Sequence, residues 1–159
     1  MFEKIRSLIW YTVLLVLFLA VYHIGTSYTV AIVAEGFSYM EPTLKAKGTY
    51  VLDRRQSTVR SLQKDDLIAF EVMDRGRLKR TFARVLGSPG KTVSVREGRL
   101  LVDGNDVAEA PRRIATLHTG LIVPRDTVFI GFDSSRAPDL PLAKRLVAYR
   151  AVLGRVRGK

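Results

Sequence analysis

Residue types that commonly carry out chemistry in proteins are scarce in this chain of 159 amino acids. It contains no cysteine, which excludes disulfides, thiolate metal sites, cysteine nucleophiles and iron–sulfur clusters. Its two histidines, His23 and His118, lie far apart, and the chain has no HExxH motif. His118 lies in a loop-like stretch and is predicted to be a surface residue. Any chemistry must therefore come from hydroxyl, amine or carboxyl groups, and we expect no metal and no cofactor.

The elements that would position such groups begin with an uncharged segment. Residues 7–34 contain no Asp, Glu, Lys or Arg, and the most apolar part is Leu8–Ile24. As a helix this part would reach about 25 Å, close to the thickness of a bilayer core. Trp10 and Tyr22 lie near its two ends, where aromatic residues meet a membrane interface. We predict that residues 1–27 form a cytoplasmic tail and a transmembrane anchor.

Two alternatives to an anchor remain open for this segment. A cleaved signal peptide has a similar beginning, but the bulky Tyr22-His23-Ile24 follows the apolar core, where small residues are usual. A buried helix of a soluble protein is the other alternative, although a helix that is apolar on every face needs a larger domain around it.

The charge distribution gives an orientation and a class of partner. The formal net charge is +11, and almost all of it follows the anchor. The tail carries Lys4 and Arg6, whereas no basic residue follows the anchor until Lys45. Because short flanking segments govern orientation, we predict a single-pass protein of the cytoplasmic (inner) membrane with its domain on the extracytoplasmic side. No nucleic-acid-binding module is evident, so the basic surface is expected to face the lipid bilayer.

Residues 28–159 are predicted to form one antiparallel β domain, a sandwich or a barrel. Short runs rich in β-branched residues alternate with turn residues, which is typical of such domains. The predicted strands are Tyr28–Ala34, Thr49–Arg54, Leu67–Val72, Phe82–Leu86, Thr92–Arg96, Arg99–Val102 and Thr127–Gly131. Residues 142–153 fit a short helix or a strand equally well.

Four segments, in order after the anchor, resemble a known family. Tyr39–Leu44 (Y-M-E-P-T-L) is similar to the S-M-x-P-T-L motif of type I signal peptidases. Arg84–Gly90 is similar to the K-R-x-x-G-x-P-G segment of that family, and Val95–Gly104 to the strand pair that follows it. Gly131–Arg136 resembles the later box ending in S-x-D-S-R. The resemblance implies a mainly β fold, with one N-terminal transmembrane helix and an antiparallel β domain of signal-peptidase type.

The resemblance also implies a chemistry. Members of that family are membrane-anchored serine endopeptidases in which a serine attacks the scissile carbonyl at the end of a signal peptide. The general base is a buried lysine, whose pKa is depressed by desolvation so that it can accept the serine proton near neutral pH. A backbone N–H and a nearby hydroxyl stabilise the oxyanion.

Both members of that dyad are replaced in this chain. Tyr39 stands at the nucleophile position and Ala83 at the general-base position, while Phe37 stands where a hydroxyl often assists the oxyanion. A phenol is bulky and has a pKa near 10, and alanine has no basic group at all. The residues that match the motifs are Met40, Pro42, Thr43, Arg84, Gly87, Pro89, Gly90, Asp133, Ser134 and Arg136.

Ser38 and Lys79 form a candidate rescue pair for the lost dyad. A bulge at residues 37–39 could turn Ser38 inward. Lys79 shares strand parity with Ala83, but four residues of strand separate them by about 13 Å. Simpler interpretations are a loop hydroxyl and a solvated charge. The resemblance also implies an ion pair between Arg84 and Asp133 and a structural role for Arg136.

The sequence thus predicts a signal-peptidase-like protein without the dyad, acting as a peptide- or pilin-binding accessory in secretion or surface assembly. The alternative is an active endopeptidase with a non-standard nucleophile, which processes signal peptides or pre-pilins. Enzymatic activity is left open between these two. A plain membrane-anchored β adaptor is a third hypothesis.

Overall fold

The computed structural model begins with one long helix, α1 (Phe2–Ser27). The part Ile5–Ser27 has a mean hydropathy of 2.1. Its apolar stretch is not buried against the rest of the protein. Twenty-three residues of helix reach about 35 Å, enough to cross a bilayer core. Because every side chain from residue 5 to 26 is exposed, α1 is not the core helix of a soluble domain.

The structure describes residues 2–33, 39–74, 76–96, 99–107, 120–134, 137 and 140–157. After α1 come two antiparallel sheets, as expected for a signal-peptidase-type β domain. The helix and strand bounds are β1 (Tyr28–Ile32), β2 (Thr49–Asp53), α2 (Gln56–Arg60), β3 (Leu67–Asp74), β4 (Arg77–Gly87), β5 (Thr92–Arg96), β6 (Arg99–Val102), β7 (Asn105–Asp106), β8 (Leu121–Ile122), β9 (Thr127–Gly131), β10 (Leu146–Ala148) and β11 (Val152–Arg157). Two short 3₁₀ turns, Leu142–Arg145 and Tyr149–Ala151, flank β10.

The larger sheet has seven strands in the order β1-β2-β11-β3-β4-β9-β10. The smaller sheet has the order β7-β6-β5-β8 and follows the end of β4. Strand β11 therefore lies between β2 and β3, although it comes last along the chain. The buried aliphatic and aromatic side chains form two clusters, of which Phe82 and Phe129 are among the largest members. The second cluster lies between the sheets, since it joins Leu86 and Phe129 of the larger sheet to side chains of the smaller one.

Direct pairing partners define one row across five strands of the larger sheet. Tyr28 pairs with Asp53, Asp53 with Arg155, Arg155 with Ile68, and Ile68 with Ala83. We call this the Tyr28 row. Since β1 follows α1 without a break, the row marks the level at which the chain leaves the helix and enters the sheet.

A buried carboxylate ties this junction together. The Asp53 side chain is fully buried and accepts hydrogen bonds from Nε and Nη2 of Arg55, at 3.0 and 2.7 Å. Arg157 Nε lies 3.4 Å from the same carboxylate, and both guanidinium groups lie over the ring of Tyr28. The hydrogen bond from the Arg55 side chain lowers the pKa of Asp53 below its usual value. The start of β1 is thereby fixed to β2 and β11.

The strand predictions are confirmed in the described regions, with two instructive differences. Strand β4 begins at Arg77, five residues before the predicted Phe82. Its first residues include Lys79, which is half-buried, and Arg80, which is exposed, so this part lacks the apolar signal of a buried strand. Residues 142–153, for which a helix and a strand were both possible, alternate between 3₁₀ turns and strands.

Candidate functional site

An ion pair joins two of the motif segments at one corner of the larger sheet. Arg84, near the end of β4, donates from Nε to Asp133 Oδ1 at 2.9 Å and from Nη2 to Oδ2 at 2.6 Å. Both side chains are about nine-tenths buried. This bidentate geometry is the strongest arrangement of a guanidinium and a carboxylate, and it is the ion pair that the resemblance implies.

Thr43 joins a third motif segment to this corner. Its hydroxyl donates to Asp133 Oδ2, and Arg84 Nη2 lies 3.3 Å from Thr43 Oγ1. Arg84 also reaches the carbonyl of Asp65 at 3.5 Å. Several polar partners therefore offset the cost of burying the charges of the guanidinium and the carboxylate.

The corner positions the segment that would carry a nucleophile. Thr43 lies in a turn in which the Leu44 N–H donates to the Met40 carbonyl at 2.8 Å. Met40 is buried in the core, and the peptide bond between Glu41 and Pro42 is cis. Residue 39 directly precedes this turn, and it also contacts Phe132 and Ser134 on either side of Asp133.

Tyr39 itself lies against the strand end that leads to Asp133. Its carbonyl accepts a hydrogen bond from the Ser134 N–H at 3.0 Å. Its ring meets the ring of Phe132 edge to face, with 5.5 Å between the centroids. The half-buried phenol therefore packs as an aromatic side chain against the larger core.

Ala83 is completely buried in the core cluster that Tyr39 borders. It pairs with Ile68 of β3 and shares its side of the strand with Thr81. The hydroxyl of Thr81 is also buried, and has no hydrogen-bond partner within the described residues. Among the described residues, the Ala83 side chain therefore lies in the apolar cluster on the same side of β4 as one buried hydroxyl, and residue 83 itself carries no amine.

The described half of the rescue pair lies well away from Ala83. Pairing between β3 and β4 is continuous from Leu67↔Arg84 to Asp74↔Arg77, with Lys79 opposite Val72. No bulge shortens the strand between residues 79 and 83, so about 13 Å separates their backbones. Ser38, Phe37, Arg136 and His118 lie outside the described residues.

The glycine-rich motif forms the turn that connects the two sheets. Gly87 ends β4, and Gly90 has a φ of 83°, which favours glycine. The Gly90 N–H donates to Val123 at 2.9 Å, and the Ser88 hydroxyl donates to the Leu62 carbonyl at 3.3 Å. Pro89 lies between these contacts. These motif residues place the smaller sheet against the larger one.

Lys91 stands where the family usually has an aspartate after that turn. Its Nζ lies 2.6 Å from Asp103 Oδ2 in the turn after β6. This hydrogen bond, together with one from the Thr92 N–H, lowers the pKa of Asp103. Sequence reasoning missed this pair and the Asp53 cluster. The Asp53 cluster could have been found from the sequence, because Asp53 ends a predicted strand and lies two residues before Arg55.

A comparison with known protein families identifies the family of this chain. The model of the family described as "Signal peptidase, peptidase S26" matches residues 6–119. That range is more than half of the chain, and the chain belongs to this family. It includes most of α1 and the segments around Tyr39 and Ala83.

A solved structure also resembles the chain. A crystal structure of a signal peptidase I from Enterococcus faecalis V583 shares 24% identity, with a TM-score of 0.44. The similarity covers 61% of this chain and 97% of that one. No curated protein matches the chain.

Proposed function

We propose that this member of the signal peptidase family is a membrane-anchored peptide-binding protein without the Ser–Lys dyad. Residues 1–27 form the tail and single-pass anchor, and residues 28–159 form a β domain on the extracytoplasmic side of the cytoplasmic membrane. The bound chain is a signal-peptide-bearing pre-protein or a pilin-like subunit, which the domain assists in secretion or surface assembly.

The observation that carries this proposal is a contrast within one site. The Arg84–Asp133–Thr43 corner, which supports the site, is complete and buried. Ala83, at the position of the family's general base, is completely buried in the larger apolar cluster, and its methyl group offers no proton acceptor. Tyr39, at the nucleophile position, uses its ring for packing against Phe132. This arrangement supports a retained scaffold with altered chemistry.

The position of the site supports a substrate that emerges from a membrane. Ala83 belongs to the Tyr28 row, four strand spacings from the end of α1. At 4.7–4.9 Å per spacing this is about 19 Å across the sheet. A peptide segment that leaves the bilayer beside α1 would thus emerge at the same height along the strands as Ala83. An extended segment could be held by strand addition, with apolar side chains against the Tyr39 ring.

The first experiment measures cleavage. The purified full chain is incubated with a pre-protein and compared with its Ser38→Ala and Lys79→Ala variants. We expect no cleavage by any of the three. Cleavage that depends on Ser38 or Lys79 would establish the alternative function, an active endopeptidase with a non-standard nucleophile.

The second experiment measures binding. A fluorescent signal peptide is titrated with the full chain in nanodiscs, with Tyr39→Asp as the test variant and Ile122→Asp as its control. Ile122 is an exposed apolar residue of the smaller sheet. We expect weaker binding only for Tyr39→Asp. Equal binding by both variants would contradict a peptide site at Tyr39.

A further inference from the structure

One buried hydroxyl near Ala83 has no hydrogen-bond partner among the described residues. Thr81 is 4% exposed, and its Oγ1 is buried without a donor or an acceptor in reach. Buried hydroxyl groups of native proteins are nearly always paired, because an unpaired one loses its hydrogen bonds to water without replacement. Thr81 lies two residues before Ala83 and projects to the same side of β4. Its hydroxyl is therefore a candidate contact for a ligand of the site.

The next side chain on that side of β4 is cationic. Lys79 precedes Thr81 by two residues, about 7 Å along the strand, so both side chains project to the same side. Lys79 is half-buried, and its flexible four-carbon stem is long enough to bring the ammonium group near the hydroxyl. A hydrogen-bond donor and a positive charge are thus neighbours on one side of the strand.

Strand β3 adds only apolar side chains to this pair. The register partners of Lys79, Thr81 and Ala83 are Val72, Phe70 and Ile68, and direct partners share one side of the sheet. None of these three partners has a side-chain acceptor. This side of the hairpin therefore presents a donor and a cation beside apolar surface, which suits an anionic acceptor group attached to a partly apolar ligand.

A peptide can lie next to these residues along the edge of β4. Strand β9 pairs with β4 only from Arg84 onward, so before Arg84 the described strands pair with β4 on its β3 side alone. An extended peptide added to the other edge would place every second side chain on the side of Thr81. The anionic group of an unmodified peptide is a carboxylate, either at its C-terminus or in an acidic side chain.

We propose that this site recognises a carboxylate of the bound peptide, which accepts a hydrogen bond from the Thr81 hydroxyl and pairs with the Lys79 ammonium group. The inference rests on the proposed function, because it names the group by which the bound peptide is selected. A signal peptide that has been released by hydrolysis ends in such a carboxylate, and an acidic side chain of a pre-protein or pilin-like subunit supplies the same chemistry. The buried hydroxyl is then satisfied in the complex.

The test uses the full chain in phosphatidylcholine nanodiscs and one fluorescent signal peptide in four forms. Two forms differ only at the C-terminus, which is a free carboxylate or an amide. The other two are amidated and have Glu or Gln as the last residue. Fluorescence anisotropy gives the dissociation constant of each form for wild type, Thr81→Val, Lys79→Met and Arg80→Met. Arg80 is the matched control, because it is an exposed cation on the opposite side of β4.

We expect the peptide with a carboxylate to bind about tenfold or more tightly than its neutral counterpart, since only the carboxylate gives a charged hydrogen bond. Thr81→Val and Lys79→Met should reduce this preference, whereas Arg80→Met should keep it. The free-terminus pair and the Glu/Gln pair show which carboxylate the site takes. Thr81→Val should unfold at the same temperature as wild type or a higher one, because it breaks no hydrogen bond of the free protein.

Equal binding of both carboxylate forms and their neutral counterparts would overturn the carboxylate site and leave a peptide site at Tyr39 intact. An unchanged preference in Thr81→Val, or an equal loss in Arg80→Met and Lys79→Met, would also overturn it. A strongly destabilised Thr81→Val variant would give the hydroxyl a role within the fold and contradict its assignment to a ligand. Absence of binding by all four forms would instead contradict the proposed function, and this inference with it.

Discussion

The corner at Arg84 and the neighbouring position of Ala83 differ sharply, although the two residues are adjacent in β4. Arg84 is held by a carboxylate, a hydroxyl and a carbonyl from three distant segments. Ala83 is completely buried and belongs to the larger apolar cluster. The polar network holds these three segments together, whereas a small apolar residue such as Ala83 can be buried in the core without a polar partner. Two adjacent residues of one strand therefore contribute to the fold in different ways, Arg84 by joining segments of the chain and Ala83 by filling the core.

Removal of one charge from the corner should have the largest effect. Asp133→Ala leaves the Arg84 guanidinium buried without its carboxylate, so we expect a loss of about 3–5 kcal/mol in the free energy of unfolding. Urea unfolding of the full chain in detergent micelles measures it. Asp106→Ala, which breaks the exposed pair with Arg99, is the matched control and should cost at most about 1 kcal/mol. Equal effects of both variants would mean that the corner does not support the fold.

The threonine of the corner should have an intermediate effect. Thr43→Val keeps the shape of the side chain but removes its hydrogen bond to the Asp133 carboxylate. A hydrogen bond to a charged group contributes about 1.5–3 kcal/mol, so unfolding should become easier by that amount. Thr43→Ser retains the hydroxyl and serves as the control. A Thr43→Val variant as stable as wild type would show that Arg84 alone satisfies the carboxylate.

The stability of the fold at acidic pH should depend on Asp53 and not on residue 83, because alanine has no titratable group. The folded pKa of Asp53 is lower than its unfolded value because of Arg55. The folded state therefore binds fewer protons there, and its stabilisation is present above about pH 4, near the unfolded pKa. It is lost as the pH falls from there through the folded pKa.

Acid unfolding followed by circular dichroism measures this dependence. Asp53→Asn should be less stable at neutral pH and should show a shallower loss of stability below about pH 4. Asp126→Asn, at an exposed position before β9, is the control. An unchanged acid profile in Asp53→Asn would assign the pH dependence to other carboxylates.

The smallest effect is expected at Lys91. Its pair with Asp103 is about half exposed, and exposed ion pairs contribute little to stability because water screens them. Lys91→Ala should therefore leave thermal unfolding nearly unchanged, with Arg99→Ala as a second exposed-pair reference. A large destabilisation would show that the turn after Gly90 depends on this lysine as the corner depends on Asp133.

The sequence allowed the fold class and most strands to be predicted, because β-branched runs such as Thr127–Gly131 alternate with clear turn residues. The ion pair of Arg84 with Asp133 followed from the family resemblance. The beginning of β4 did not, since its charged residues belong to a projecting ribbon whose strand is defined by pairing alone. Arg145 is fully buried, with Nε donating to the Leu140 carbonyl at 2.9 Å. Local sequence gives no signal for this, because arginine is ordinarily exposed.

The place of β11 in the middle of the larger sheet has a consequence for the order of events during synthesis. Strands β1 and β2 can pair early, and so can β3 and β4, but these two pairs are joined only by β11. Residues 152–157 must therefore be synthesised before the larger sheet can close. Until then both pairs keep an open edge that other chains can join. The last residues of the chain thus decide when the first strands are protected from such pairing.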